Sequence, residues 1–244
     1  MDAEGTSRLR YSLRTARLSL VLFDIDGTLL LSGGAGVRAM SRAFEQVFGI
    51  ADAFAGIELG GRTDTFLLSR AIARAGVLDS PRNHRRFREA YLQVLSEEIH
   101  NPGSGRSEVM PGVQSLLEAA QQEPSLHLAL LTGNYEPAAY LKLGHFGLRD
   151  FFGWGAFGEE SEDRNDLGRV AMRRAAERAI PPAACSRAIV IGDTPYDIAC
   201  AHAIGARALG VATGSHSVDE LRAAGADIAV PDLSDTTYVL SLLR

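Results

Sequence analysis

Apolar and polar positions alternate in blocks along the chain, and from Gly112 onward the blocks come at two periods. Leu126–Leu131, Ala188–Ile191, Ala206–Val211 and Ile228–Val230 are short continuous apolar runs, the pattern of strands buried on both faces. Between and after them, Val113–Gln122, Pro137–Phe146, Leu167–Ala179, Tyr196–Ile204, Val218–Ala224 and Ser234–Leu243 carry apolar residues at helical spacing. Strands separated by helices of that length predict a parallel sheet covered on both faces. Leu18–Phe23 is another such run and joins the sheet as a central strand. Between Gly33 and Val109 only helical periodicity remains, over Val37–Phe48, Asp64–Ala75 and Arg82–Ile99. The expectation is a doubly wound α/β core, residues 18–32 and 109–244, interrupted by an all-helical cap over 33–108. Ser32–Gly36 and Asn101–Met110, rich in glycine and turn residues, are the expected hinges. Residues 1–17, with Arg8, Arg10, Arg14 and Arg17 and no apolar stretch, read as a leader outside both units rather than a signal peptide.

Composition narrows the classes. The chain has 244 residues, 46% hydrophobic and 23% charged, and a formal net charge of −5, which argues against a nucleic-acid partner. It has no run of 18 apolar residues, so no membrane span is expected. Its two cysteines, Cys185 and Cys200, fit neither a metal spacing nor a disulfide framework and suit a cytoplasmic protein. Of its 25 basic residues, Lys142 is the only lysine.

The chemistry concentrates where strands end. Leu20-Val21-Leu22-Phe23-Asp24-Ile25-Asp26-Gly27-Thr28 places two carboxylates on alternate positions after an apolar strand, where both can face one point. Two such acids repel unless they share a cation or divide the work of nucleophile and general acid. An EF-hand loop needs Gly at position 6 and Glu at position 12; Gly27 is at position 4 and Ala35 at position 12, so that reading fails. Gly34-Ala35-Gly36-Val37-Arg38-Ala39 fits a dinucleotide fingerprint only loosely, since it does not leave the strand directly, and a flexible hinge accounts for it better.

A second strand ends in Thr132-Gly133-Asn134. The Thr132 hydroxyl and the N–H groups of Gly133 and Asn134 either cradle an anion at a helix start or form an ordinary N-cap. A third ends in Gly192-Asp193-Thr194-Pro195-Tyr196-Asp197. Asp193 would share a layer with Asp24 and Asp26 in a hard oxygen-donor site. Asp197 either complements the helix dipole or supports the metal. In the predicted cap, Gly60-Gly61-Arg62-Thr63-Asp64 opens a helix. Arg62 reads equally well as a surface residue and as a bidentate contact to a substrate carboxylate or phosphate. Trp154, near Phe151, Phe152 and Phe157, reads as packing.

Taken together, D-x-D-G-T at Asp24–Thr28, the strand-end Thr132 and G-D-x-x-x-D at Gly192–Asp197 resemble the haloacid dehalogenase superfamily, from about Leu18 to the end of the chain. Met110-Pro111-Gly112-Val113 adds to the likeness, and D-x-D-G-T is the form carried by phosphatases similar to phosphoglycolate phosphatase. The resemblance implies that Asp24 is the nucleophile and is converted to an aspartyl-phosphate. Asp26 then acts as acid and later as base, and Thr132 binds the phosphoryl group together with Thr28, Gly133 and Asn134. Mg²⁺ sits among Asp24, the Asp26 carbonyl and Asp193, with Asp197 in support. The superfamily also wants a Lys or Arg between its second and third motifs. Lys142, ten residues past Thr132 inside a helix, is badly placed for this, which leaves Arg164, with Arg169 as the alternative.

Among the superfamily's chemistries, Asp26 argues against haloalkanoate dehalogenation. The absence of any lysine between Met1 and Leu141 excludes a lid Schiff base. The expected function is a Mg²⁺-dependent phosphatase for a small phosphorylated metabolite. A phosphomutase and a non-catalytic protein that binds phosphorylated ligands are the alternatives.

Overall fold

A computed structural model describes residues 18–101 and 103–244; the predicted leader lies outside them. The chain runs β1 (Ser19–Phe23), β2 (Leu30–Ser32), α1 (Ala35–Phe48), α2 (Asp64–Ala75), α3 (Pro81–Glu98), β3 (Ser107–Val109), α4 (Val113–Gln121), β4 (Leu126–Leu131), α5 (Glu136–His145), a 3₁₀ turn (Arg149–Phe151), β5 (Gly155–Ala156), α6 (Arg164–Glu177), α7 (Pro182–Cys185), β6 (Ile189–Gly192), α8 (Pro195–Ala203), β7 (Arg207–Val211), α9 (Val218–Ala223), β8 (Ile228–Val230) and α10 (Thr236–Leu243). Six strands form one parallel sheet in the order β5-β4-β1-β6-β7-β8. β1 is central, as expected of a strand apolar on both faces.

Alternation along the strands sends side chains into two separate cores. Val21 and Phe23 of β1, Leu130 of β4, and Ile189 and Ile191 of β6 enter one, closed by α4, α5 and α10 through Leu116, Leu117, Leu143, Val239 and Leu243. Leu20, Leu22, Ala129, Leu131 and Val190 enter the other, closed by α6, α8 and α9 through Leu167, Ala171, Ile198 and Leu221. This is a doubly wound α/β sheet. Phe152 and Phe157 are buried in the first core, and Trp154 packs against the second. Among the described residues no helix is long and apolar enough to cross a membrane.

Helices α1, α2 and α3 have a third core of their own, built on Met40, Phe44, Leu68, Ile72, Phe87 and Tyr91. Tyr135 and Ala138, at the start of α5, join it, so this helical unit packs on the loop that follows β4. The two expected hinges are more tightly tied than their composition suggests. Leu30–Ser32 and Ser107–Val109 pair as an antiparallel ribbon, with Leu30 opposite Val109 and Ser32 opposite Ser107. Strands of three residues are too short to give a period-2 signal. Arg38 adds a clasp across the same region, donating to Glu98 Oε2 at 2.7 Å, to the Gly33 carbonyl at 2.5 Å and to the Asn101 carbonyl.

Candidate active site

The site lies beyond the carboxyl ends of β1, β4 and β6, where open α/β sheets bind ligands. Asp24 directly follows β1, and its N–H still donates to the Ile191 carbonyl at 3.0 Å. The sheet therefore holds it in place, only 5% exposed. The chain then turns at Gly27, whose φ of +87° suits glycine. A side chain there would also collide with Asp193: a Cβ would stand 2.4 Å from Asp193 Oδ2. At Gly214 the corresponding distance is 1.8 Å. Two glycines thus open the space that the Asp193 carboxylate occupies.

Asp24, Asp193 and Asp197 each offer a carboxylate oxygen within 4.8 Å of the others. Arg164, at the first turn of α6 and nine-tenths buried, reaches into this group. Its Nη2 donates to Asp24 Oδ1 at 2.8 Å, to Asp197 Oδ1 and to the Leu131 carbonyl. Three carboxylates facing one guanidinium leave two negative charges uncompensated. Burial pushes the Asp24 carboxyl up to about 6, against the pull of Arg164. Burial, reinforced by Asp197 and Asp24, raises Asp193 well above its ordinary value. Burial opposes the charge on Arg164, but Asp197 and Asp24 outweigh it and hold the guanidinium protonated.

Among the described residues, Asp24 Oδ2 and Asp193 Oδ2 accept no hydrogen bond from the protein. Excess negative charge on buried hard oxygens fits a divalent cation such as Mg²⁺. Asp197 is spent differently. Its Oδ2 takes the N–H and hydroxyl of Thr194 at 3.0 and 2.7 Å, while Oδ1 takes Arg164. It therefore positions Arg164 and the start of α8.

Asp26 stands apart. Its side chain is 43% exposed, and its carboxylate is outside the three-acid cluster. Lys142 Nζ donates to Asp26 Oδ1 and Oδ2 at 2.8 and 2.7 Å and to Asn134 Oδ1 at 2.6 Å. Asn134 Nδ2 completes the ring with Asp26 Oδ2 at 2.7 Å. Lys142, read from the sequence as badly placed for the superfamily's basic residue, does line the site, but at Asp26, while Arg164 meets Asp24. Residue 142 sits about 9 Å of helix rise beyond the start of α5, but helical side chains slant toward the N-terminus. The long lysine side chain recovers much of that distance, and the Asp26 and Asn134 side chains meet it. Asp26 in turn faces Lys142 because β1 ends at Phe23, so strand alternation no longer aligns it with Asp24.

Other expected residues fall as follows. Thr132 is buried, and its Oγ1 accepts the Asn134 N–H at 3.3 Å and Asn134 Nδ2 at 2.8 Å. Asn134 is thereby committed to shaping the loop rather than cradling an anion through its N–H. Gly133 is the docking point of the helical unit: its carbonyl accepts the Asp64 N–H at 2.7 Å. A Cβ on it would stand 2.1 Å from the Arg62 carbonyl. Thr28 does not line the site cavity; its hydroxyl donates to Asp193 Oδ1 at 3.1 Å. Arg62 turns its guanidinium between the rings of Phe66 (4.7 Å) and Tyr196 (4.2 Å) and pairs with Glu58 at 3.2 Å. Arg169 pairs with Asp166 on the exposed face of α6. Of the two candidate arginines, only Arg164 enters the acid cluster.

Sequence reasoning did not single out Asp64 and Tyr91. Asp64, first residue of α2, is buried and accepts the Tyr135 N–H at 2.8 Å. Burial pushes it up to about 7, with Lys142 pulling the other way. Tyr91, fully buried on α3, has a hydroxyl without a partner among the described residues. Both line a cavity of about 260 Å³ between the helical unit and the sheet, together with Asp24, Asp26, Thr132 and Asp193. A more open cleft of about 470 Å³ near Thr65 and Arg88 holds none of these acids.

The chain shares 27% identity over 223 residues with the probable phosphatase IndB of Dickeya dadantii (strain 3937), covering 88% of this chain and 90% of the relative. Its fold is similar to that of a predicted phosphoglycolate phosphatase from Haemophilus somnus 129pt, with a TM-score of 0.66 at 19% identity over 92% of this chain and 98% of the other. A putative β-phosphoglucomutase from Thermotoga maritima shares the fold as well, with a TM-score of 0.59 at 20% identity over 93% and 100% of the two chains. The profile of the haloacid dehalogenase-like hydrolases matches residues 18–205, most of the chain and all three strand-end motifs, and the protein belongs to that family.

Proposed function

We propose that the protein is a phosphatase that hydrolyses a phosphate monoester of a small metabolite through an aspartyl-phosphate on Asp24, with Mg²⁺ as cofactor. The carrying observation is the pairing of a buried Asp24, its Oδ2 free, with a second acid, Asp26, in the same cavity. One carboxylate oxygen of Asp24 attacks phosphorus while Arg164, which pairs with this carboxylate, offsets the charge brought together as two anions meet. The Thr132 hydroxyl hydrogen-bonds a phosphoryl oxygen. Asp26 carries the proton to the departing alcohol oxygen, then takes one from the water that opens the acyl-phosphate. Lys142 and Asn134 hold the Asp26 carboxyl in one orientation between those two transfers. Mg²⁺, held by Asp24 and Asp193 with Thr28 and Asp197 supporting the ligands, would neutralise charge on the phosphoryl oxygens. In this reading residues 33–108 form a cap that closes over the cavity and excludes water during transfer.

The test is phosphate release from a panel of phosphorylated metabolites, with Mg²⁺ and with EDTA. Release should depend on the metal and fall by at least about 10³-fold in Asp24→Asn, whose folding is verified by circular dichroism. Undiminished release by that variant would exclude Asp24 as nucleophile.

A further inference from the structure

The phosphatase reading leaves the organic half of the substrate open, and the cavity wall opposite the catalytic acids bears on it. Resting on that reading, the geometry points to a phosphate monoester whose organic part has no second anionic group and offers an uncharged oxygen to Tyr91 against a partly apolar wall.

The first observation concerns cations. Three basic side chains line the cavity: Lys142, Arg164 and Arg62. The three protons of the Lys142 ammonium meet three acceptors, the two oxygens of Asp26 and Asn134 Oδ1. Arg164 is paired with Asp24 and Asp197. The Arg62 guanidinium lies against Phe66, Tyr196 and Glu58, and none of these three lines the cavity. Among the described residues, each of these three cations already has a carboxylate partner, although the buried Nε of Arg62 and of Arg164 has no acceptor, so the charge of a substrate carboxylate or a second phosphate would find no uncompensated cation in the wall. Asp64 faces the cavity as well, so a further anion would meet carboxylates without compensation.

The second observation is the wall contributed by the helical unit. Val37, Met40, Leu59 and Leu67 present hydrocarbon to the cavity. Val37 is 44% exposed although large and apolar, and its position at the rim suits contact with a ligand. The third observation is Tyr91. Its hydroxyl is buried in this wall without a partner, a costly arrangement unless a ligand completes it. Burial also keeps the phenol protonated, so it donates, and a neutral hydroxyl, ether or carbonyl oxygen is the acceptor that fits. A cavity of about 260 Å³ lies below the usual range for drug-sized ligands and calls for a small organic part.

Matched probes decide the point. Glycerol 3-phosphate and 3-phosphoglycerate have the same chain length and differ in a hydroxymethyl against a carboxylate; glucose 6-phosphate and glucose 1,6-bisphosphate differ in a second phosphate. We expect kcat/KM to favour the singly charged-group member of each pair at least tenfold. Tyr91→Phe should lose several-fold in kcat/KM for glycerol 3-phosphate and little for propyl phosphate, which has no second oxygen. Equal or faster turnover of 3-phosphoglycerate would overturn the inference and leave the phosphatase reading standing. Release from no ester would overturn the phosphatase reading. Calorimetry on Asp24→Asn then still decides the inference: tenfold weaker binding of 3-phosphoglycerate supports it, and equal or tighter binding overturns it.

Discussion

Two acids separated by one residue in the chain are held in opposite ways. Asp24 is tied to the sheet by its own N–H, nearly inaccessible, and paired with a buried arginine from α6. Asp26 lies just past the strand, close to half exposed at its side chain, and is gripped by a lysine from α5 and the amide of Asn134. The first pair belongs to a cluster with more negative than positive charge; the second is balanced within itself. A nucleophile benefits from fixed position and neutralised charge, whereas an acid that must exchange its proton needs access to water and a defined orientation. Each arrangement suits one of those tasks, and the difference follows from where β1 stops.

The comparison can be broken most severely at Arg164. Arg164→Met strands Asp24 and Asp197 as buried charges. It should cost about 3–5 kcal/mol of stability, as removal of one partner from a buried ion pair does. Turnover should fall by roughly 10²-fold or more. Urea unfolding and steady-state kinetics would measure both, and a stability near wild type would mean that the cluster does not depend on its arginine.

Lys142→Met probes the other half. Asp26 keeps its hydration, so stability should change by no more than about 1–2 kcal/mol. On the proposed mechanism kcat should fall by roughly 10- to 100-fold with KM little altered, because Asp26 loses an orienting contact. A stability loss equal to that of Arg164→Met would erase the distinction between the two pairs.

The smallest expected effect on turnover is at Asp64, which sits beside the Lys142 group and has no part in the proposed chemistry. Its carboxyl is raised from an ordinary 3.8 to about 7. Between those values the folded protein retains a proton that the unfolded chain has released. This contribution to stability is complete below about pH 4 and lost as pH rises through about 7. Asp64→Asn should remove that slope and, at pH 8, leave the protein more stable by roughly 1–3 kcal/mol. Urea midpoints at pH 5 and pH 8 for both proteins test it; an unchanged slope would place the titration elsewhere.

Much of the fold was legible because its strands are apolar on both faces and its helices amphipathic, so β4, β8 and α2 emerge with the residue bounds the periodicity suggests. The ribbon of β2 and β3 and the two-residue β5 were not, since pairing partners far apart in the chain define them. At the site, Asp24 and Asp193 could be grouped from their places at strand ends and Arg164 from its place before a helix, but the third acid of the cluster is Asp197 of α8 rather than the expected Asp26. The role of Arg62 could not be read, because Tyr196, which shares in holding it, comes from α8.

By itself, then, the chain's sequence determined which residues carry charge at the ends of which strands. Hydrophobic period sets the strands, and strand ends set the line along which acids gather. Only the tertiary structure decided which cation serves which acid. Those pairings depend on side-chain reach across elements that the chain brings together by burying three separate cores. Lys142, remote in sequence and in contact in space, reaches Asp26 and Asn134 because α5, which carries it, packs with its first turn against the helical unit and beside the end of β1.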